Sequence, residues 1–237
     1  MLTPKDILGH ISGGRVLDVA TGSGGFIHFL LEGLKDYTEI IGLDSNERAA
    51  AVFAEAFKDK PNICFDLGDA IRRNFDAESF DLVCISNSLH HFEDPVPVLY
   101  QMQRLLRPGG HLLIAEMVRD GQTDTQLTHV YLHHWWAAVD RTTGIVHHET
   151  YQRAELIEMI NALGLSDLAL YELADTDENP KSPEILAQLN SVIDRYIQRA
   201  EGYPDLQARG DELRTRVAEI GFHGATTLIA VGAKLDR

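Results

Sequence analysis

A carboxylate and a glycine-rich turn lie side by side near the start of this 237-residue chain. Residues 16–25 read VLDVATGSGG, an apolar run that carries Asp18 and is followed by Gly22 and Gly24. Glycines at these positions allow a tight turn and a close approach of the backbone to a ligand before the next helix. The pattern is typical of a nucleotide-binding site at the end of a buried strand.

The residue types at this turn indicate which nucleotide would bind. Asp18 would lie near the pyrophosphate of NAD or ATP and repel it, whereas it would attract a cationic ligand. The dinucleotide fingerprint G-x-G-x-x-G needs a glycine where this chain has Ile27, and the lysine of the P-loop is absent. S-adenosylmethionine carries an ammonium and a sulfonium group and no phosphate. We therefore predict S-adenosylmethionine as the cofactor and keep a nicotinamide-dependent oxidoreductase as the alternative.

Besides the carboxylate and the glycine turn, the histidine side chains are the residues that could take part in catalysis. Five of the 11 histidines lie between positions 129 and 148, and two more follow a predicted strand that ends near Ser86. An imidazole can accept a proton from a methyl acceptor that must lose one. The candidate catalytic residues are His90, His91 and His133.

A metal site is the alternative interpretation of the same histidines. His129 and His133 are four residues apart, so they would share a helix face and could bind zinc or iron together with Glu116. Histidines at this spacing are by themselves a weak pattern. We therefore assign no metal ligand and prefer a substrate pocket in which the histidines lie beside three aromatic side chains: Tyr131, Trp135 and Trp136.

The elements that must position these residues alternate between strand and helix. Apolar runs predict seven strands, and segments with helical spacing separate most of them. The alternation predicts a Rossmann-like α/β fold, with a seven-stranded, mostly parallel sheet, helices on both faces and a ligand site at the carboxyl ends of the strands. The predicted strands cover residues 16–20, 39–44, 63–66, 81–86, 111–117, 168–173 and 226–234.

A helical cap is predicted beside this sheet. The length suits a single domain over residues 1–237, in which segments 122–150 and 174–222 enlarge the connections after the fifth and sixth strands. The apolar stripe of the second segment is most simply core packing, although it could also close a homodimer or an amphipathic substrate site.

Composition narrows the choice of partners. The formal net charge of −15 argues against nucleic acid, because phosphate binding depends on clustered lysine and arginine. No apolar run has the length of a membrane span and the N-terminus shows no signal sequence, so we expect a cytoplasmic protein with a small-molecule substrate and no membrane partner. Cys64 and Cys84 lie in apolar segments and are predicted to be buried and unpaired.

Five spaced segments resemble the class I S-adenosylmethionine-dependent methyltransferases of type 11, and among them the ubiquinone and menaquinone biosynthesis enzymes. The first segment is similar to the family's D-x-G-x-G-x-G motif, with Ala20 in the first glycine position as in the quinone branch. Asp44, at the end of the second strand, and the triplet GDA at residues 68–70 are similar to the next two motifs. The other two segments are FDLV with SNSLHHF within residues 80–92 and LLRPGG at residues 105–110.

The resemblance implies roles for these residues. The backbone of residues 20–24 would cradle the methionine and ribose parts of the cofactor, and Asp18 would hold the ammonium group through backbone or water. Asp44 would accept both ribose hydroxyls, unless it only caps the helix that follows, and Asp69 would accept a hydrogen bond from the adenine amino group. The predicted cofactor-binding residues are Asp18, Ala20, Thr21, Gly22, Gly24, Asp44, Ser45, Gly68, Asp69, Ala70 and Ser86.

The function that follows is methyl transfer from S-adenosylmethionine to a small molecule. A non-catalytic S-adenosylmethionine-binding module fits the same motifs and stays open, as does the oxidoreductase. A nucleic-acid methyltransferase conflicts with the charge, and SNSL at residues 86–89 lacks the Asn/Asp-Pro-Pro-Tyr signature of amino-group DNA methylation.

Overall fold

The computed structural model describes residues 2–235, and a seven-stranded sheet with flanking helices dominates it. The strands are β1 (Arg15–Val19), β2 (Glu39–Asp44), β3 (Ile63–Leu67), β4 (Phe80–Ser86), β5 (Leu106–Met117), β6 (Ser166–Leu173) and β7 (Thr227–Ala233). The helices are α1 (Pro4–Leu8), α2 (Gly25–Gly33), α3 (Glu47–Ala56), α4 (Pro95–Leu105), α5 (Asp124–Arg141), α6 (Arg153–Asn161), α7 (Pro183–Arg199) and α8 (Pro204–Glu219), and a 3₁₀ turn covers Leu89–His91.

The strand order is β3-β2-β1-β4-β5-β7-β6. The first five strands in this order are parallel, and β7 runs antiparallel to both β5 and β6. This arrangement confirms the predicted Rossmann-like fold. The order of the strands reverses between β1 and β4, and a crevice at the carboxyl ends of such a pair is where open α/β sheets bind ligands.

Both faces of the central strands are buried, because successive side chains point to opposite sides of the sheet. In β1, Val16 packs in the apolar cluster on one face and Leu17 in the cluster on the other. The neighbouring β4 divides its side chains in the same way, with Leu82 and Val83 on opposite faces. Continuous apolar runs in the sequence therefore mark the strands at the centre of the sheet.

Strand order decides the burial of the two cysteines. Cys84 in the central strand β4 is buried, as predicted. The prediction for Cys64 is wrong: this thiol is exposed, because β3 lies at the edge of the sheet. The start of β5 also differs from the prediction, since Leu106 already pairs with Phe80 and the strand continues through the RPGG segment after a shift in register.

The predicted helical cap is formed by α5, α7 and α8, which pack against one another around a separate apolar cluster. The buried side chains Leu189 and Ile193 of the α7 stripe lie in this cluster, so the stripe is core packing. Helix α5 follows the carboxyl end of β5, and α7 and α8 lie between β6 and β7. The cap therefore brings the histidines of α5 to the same end of the sheet as the glycine turn.

Candidate active site

A cavity of about 480 Å³ opens at the carboxyl ends of β1 and β4, where the strand order reverses. Its volume falls in the range of about 300–1,000 Å³ that is usual for small-molecule sites. The glycine turn forms one wall and the residues after β4 form the other. The lining residues are Asp18, Ala20, Thr21, Gly22, Ser23, Gly25, Phe26, Phe29, Ser86, Asn87 and Ser88.

The backbone of the turn is left-handed at three positions, Ala20, Gly22 and Gly24, with φ angles of 54°, 54° and 86°. Gly24 is the N-cap residue of α2 and packs so closely that an added Cβ would lie 2.3 Å from Cε2 of Phe57. Gly22 instead faces open space, with no atom within 4 Å of an added Cβ. One glycine therefore holds the turn against α3, and the other leaves room for a ligand beside the backbone.

The carboxylate of Asp18 is buried beneath the turn. It accepts hydrogen bonds from Oγ1 of Thr21 at 2.6 Å and from Sγ of Cys84 at 3.4 Å, its partner in the β1–β4 register. Burial raises the pKa of Asp18 to about 6, although both hydrogen bonds act in the opposite direction. A positive charge in the cavity would offset the cost of burying the ionised carboxylate.

Asp44 ties the end of β2 to the glycine turn. One carboxylate oxygen accepts the backbone N–H of Gly22 at 2.7 Å, and the other accepts that of Asn46 at 2.8 Å. The cap of α3 is Asn46, whose side chain accepts the backbone N–H of Arg48. The helix-capping alternative for Asp44 is therefore wrong, and each of its oxygens still has a free lone pair for a ligand hydroxyl.

The predicted cofactor residues separate into two groups. Five of them line the cavity and the other six do not. Asp69 accepts the backbone N–H groups of Ile71 and Arg72, both at 2.9 Å, so it orders the loop after β3. The lining group is Asp18, Ala20, Thr21, Gly22 and Ser86; the other group is Gly24, Asp44, Ser45, Gly68, Asp69 and Ala70.

Sequence reasoning missed six of the residues that line the cavity. Phe26 and Phe29, in the first two turns of α2, stack with ring centroids 5.2 Å apart. Their spacing of three residues on a predicted helix that starts at the glycine turn was a usable signal. The others are adjacent in sequence to predicted residues or, for Ser88, two positions away. The six are Ser23, Gly25, Phe26, Phe29, Asn87 and Ser88.

The three candidate catalytic histidines lie together in one cluster, and His147 joins them. His90 and His91 come from the 3₁₀ turn after β4, His133 from α5, and His147 from the loop after α5. The ring centroid of His90 is 4.4, 4.7 and 5.4 Å from those of His91, His133 and His147. We call these four residues the histidine cluster.

Two buried carboxylates hold this cluster. Glu116, at the end of β5, accepts hydrogen bonds from Nδ1 of His90 at 3.0 Å and from the backbone N–H of Leu89 at 2.9 Å. Asp140, in the last turn of α5, accepts a hydrogen bond from Nδ1 of His147 at 2.7 Å. Burial alone would raise the pKa of Asp140, but His147 and the positive charge of Arg199 lower it below its usual value.

The residues weighed for metal binding are arranged differently from the expectation. Glu116 bonds to His90, whereas Nδ1 of His129 accepts the backbone N–H of Ala225 at 2.9 Å. Burial lowers the pKa of His129 to about 4. Burial and then the neighbouring imidazoles lower the pKa of His133 to about 2, so both rings are neutral at pH 7.

A smaller cavity of about 170 Å³ lies between the histidine cluster and the sheet. Asn87 lines this cavity and the larger one, so the two are neighbours. The expectation that Trp135 lines the pocket is wrong, because its ring is in the core of the cap and its Nε1 donates to the carbonyl of Leu206 at 2.8 Å. Trp136 and Tyr131 do not line it either. The lining residues are Asn87, His90, Met117, His129, His133, Ala225 and Thr227.

Comparison with known proteins identifies the segment that carries the glycine turn. A family model described as a methyltransferase domain matches residues 17–114. The demethylmenaquinone methyltransferase of Beutenbergia cavernae is 37% identical over 111 residues, which are 47% of this chain and 44% of that relative.

Solved structures extend the likeness over nearly the whole chain. The BH2331 protein of Bacillus halodurans C-125 has a TM-score of 0.63 at 17% identity, covering 96% of this chain and 95% of the other. A phosphoethanolamine N-methyltransferase 2 of Haemonchus contortus, in complex with phosphomonomethylethanolamine and S-adenosylhomocysteine, has a TM-score of 0.57 at 19% identity, covering 95% of this chain and 50% of the other. At these identities the likeness establishes the fold.

The segment that matches the methyltransferase-domain model, residues 17–114, is less than half of the chain. The matched segment contains the glycine turn, Asp44 and the 3₁₀ turn with His90, so the family resemblance expected from the sequence is confirmed. The match ends before α5, and the cap with His133 and His147 lies outside it. The chain spans less than half the length of the demethylmenaquinone methyltransferase that it matches.

Over residues 2–235, none of the helices combines the length and the apolar character needed to cross a membrane.

Proposed function

We propose that this chain transfers a methyl group from S-adenosylmethionine to a small molecule. The observation that supports this proposal best is the cavity at β1 and β4, which is lined by Asp18 and by a glycine turn with open space at Gly22. The carboxylate of Asp44 lies beside this turn and accepts the backbone N–H of Gly22. Two carboxylates suit a cofactor with a cationic methionine part and a ribose diol, and they oppose a pyrophosphate. A structural neighbour with the same fold holds S-adenosylhomocysteine.

The cofactor-binding roles are part of the proposal. The carboxylate of Asp18, beneath the turn, stabilises the ammonium group of the cofactor electrostatically. It acts through Thr21, which donates a hydrogen bond to it, and through the surrounding backbone. Asp44 accepts the ribose hydroxyls with the lone pairs that Gly22 and Asn46 leave free. Asp69 accepts a hydrogen bond from the adenine amino group with Oδ2, because Ile71 and Arg72 both donate to Oδ1. Ser45, Gly68, Ala70 and Ser86 complete the proposed site.

Methyl transfer is an in-line displacement, in which the sulfonium loses its charge as the methyl group moves to the acceptor. The protein therefore has to align the acceptor with the methyl group and exclude water. The smaller cavity beside Asn87 is the proposed acceptor site. His90 and His133 line it, and the ring of His91 contacts that of His90. A base with a pKa of about 2 does not collect a proton at pH 7, so the proposed role of His133 is to contact the acceptor as a neutral ring.

The test is transfer of a labelled methyl group to small molecules of a metabolite extract. We expect labelled products with the wild-type protein and much less product with Asp44→Ala, whose carboxylate is lost. The matched control is Asp76→Asn, an exposed carboxylate in a loop. Cofactor binding without any labelled product would favour the non-catalytic binding module.

Other expectations from the sequence stay predictions. They are a single domain over residues 1–237 with cap segments 122–150 and 174–222, a cytoplasmic location, a homodimer, and no nucleic-acid partner.

A further inference from the structure

Three imidazoles of the histidine cluster converge on one point. A ring nitrogen from each of His90, His133 and His147 lies within 4.8 Å of the other two. The Nε2 atoms of His133 and His147 are 3.4 Å apart. A tetrahedral zinc ion with bonds of about 2.0–2.1 Å to nitrogen requires ligand atoms about 3.3–3.4 Å apart. The Nε2 atoms of His133 and His147 therefore already have the spacing of two zinc ligands.

The carboxylates orient two of these rings toward that point. An ionised carboxylate can only accept a hydrogen bond, so His90 donates Nδ1–H to Glu116 and His147 donates Nδ1–H to Asp140. In both rings the lone pair is then on Nε2. Histidines that bind metals in proteins are held in this way, with the second ring nitrogen bonded to a carboxylate or a carbonyl.

Hydrogen bonds among the three rings cannot satisfy all of the ring nitrogens of His90, His133 and His147. With Nδ1–H of His90 and His147 directed to carboxylates, a single Nε2–H of His133 is left to share between two lone pairs. Nδ1 of His133 is itself buried without a hydrogen-bond partner. A cation at the point of convergence would satisfy the three Nε2 lone pairs together.

We propose that His90, His133 and His147 bind a divalent zinc ion, with Glu116 and Asp140 orienting the ligands. Three histidine ligands leave a fourth position open, as in catalytic zinc sites. His90 and His133 both line the smaller cavity, so an acceptor bound there reaches this position.

The role of the ion rests on the proposed function, whereas the binding of zinc does not. A hydroxyl or thiol of the acceptor binds the ion and releases its proton to solvent, because the metal lowers its pKa. The resulting anion forms a bond to the methyl carbon as the carbon–sulfur bond of S-adenosylmethionine breaks. The products are the methyl ether or thioether and S-adenosylhomocysteine.

The first test measures zinc binding by the complete chain, purified without a histidine tag and stripped with a chelator. Competition with a chromophoric chelator should give one zinc per chain, and cobalt substituted for zinc should show the absorption of a tetrahedral site. His133→Gln changes the most accessible ligand and should weaken zinc binding at least 100-fold. Asp140→Asn should weaken it about 10- to 100-fold.

His134→Gln is the matched control. His134 follows His133 on α5, but its ring forms a hydrogen bond with Thr150 and is not one of the three proposed ligands. Its zinc affinity should stay within threefold of the wild-type value. No zinc bound by the wild-type protein would overturn the proposal, and this result does not depend on the folding of any variant. Equal losses in His133→Gln and His134→Gln, with both variants folded by circular dichroism, would overturn it too.

Calorimetry with S-adenosylhomocysteine separates this proposal from the proposed function. Zinc binding without S-adenosylhomocysteine binding would support the metal site and contradict methyl transfer. Binding of S-adenosylhomocysteine by a protein that takes no zinc would leave methyl transfer in place and overturn the metal site.

Discussion

Replacing Asp18 by asparagine removes a buried charge from beneath the glycine turn. The unfolded chain titrates this carboxyl group near its ordinary pKa of 3.8, and the folded protein titrates it with a pKa of about 6, because the group is buried. Between these values the folded state holds a proton that the unfolded state has released. The contribution of Asp18 to stability is therefore greatest below pH 4 and is lost as pH rises through 6.

The size of this effect follows from the two pKa values. At about 1.4 kcal/mol per pKa unit, the ionised carboxylate costs the ligand-free protein about 3 kcal/mol above pH 7. About half of this loss, on the order of 1 to 2 kcal/mol, occurs between pH 5 and pH 8. The asparagine of Asp18→Asn does not titrate, so the variant should lose about 1 to 2 kcal/mol less stability than the wild type over the same range.

Urea unfolding at pH 5, 6, 7 and 8 measures this difference. Asp76→Asn, which replaces an exposed carboxylate, should follow the wild-type curve. An ammonium group bound near Asp18 favours the ionised carboxylate. The wild-type protein should therefore bind S-adenosylhomocysteine, which carries this group, more tightly at pH 7.5 than at pH 5.5, and Asp18→Asn should lose this dependence. Parallel stability curves for Asp18→Asn and the wild type would refute the reasoning, because they would show that the buried group does not resist ionisation.

Three further changes have expected outcomes. Asp44→Ala should weaken S-adenosylhomocysteine binding about 10- to 150-fold, the scale of about 1.5–3 kcal/mol for hydrogen bonds to a charged group; unchanged affinity by calorimetry would remove Asp44 from the cofactor site. Gly24→Ala should destabilise the protein in urea by at least about 2 kcal/mol, because it combines left-handed backbone with a Cβ that overlaps Phe57, and a loss below 1 kcal/mol would contradict that packing. His129→Asn keeps an acceptor for the backbone N–H of Ala225 and removes a ring whose pKa is lowered to about 4. In this pH range the His129 imidazole of the wild type binds a proton mainly in the unfolded chain. The wild type should therefore lose up to about 3 kcal/mol of stability relative to the variant as pH falls from 6.5 to 4. Equal acid sensitivity of the two proteins in thermal melts would contradict this prediction.

The cofactor side of the site could be predicted because its residues are close together in sequence. The strand with Asp18, the turn with Gly22 and Gly24, and the helix that follows form one continuous segment, and local backbone preferences determine its shape. The acid at the end of β2 follows from the alternation of strands and helices, since parallel strands end at the same edge of the sheet.

The acceptor side depends on contacts between distant segments, which spacing does not reveal. His90 and His147 are 57 positions apart and meet only because α5 folds back over the end of β4. The i, i+4 spacing pointed to His129 as the partner of His133, yet His129 bonds to the backbone before β7. Trp135 was predicted to line the pocket because it follows two histidines in the sequence. Packing among the three cap helices buries its ring in the core of the cap instead.

Equilibrium binding of S-adenosylhomocysteine and NAD to the wild-type protein tests the central claim most directly. The claim is that the cavity at β1 and β4 accepts a nucleoside that carries an ammonium group and opposes a pyrophosphate. Isothermal titration calorimetry should show one S-adenosylhomocysteine per chain, weakened by Asp44→Ala, and no heat from NAD under the same conditions. Binding of NAD in the absence of S-adenosylhomocysteine binding would contradict the account.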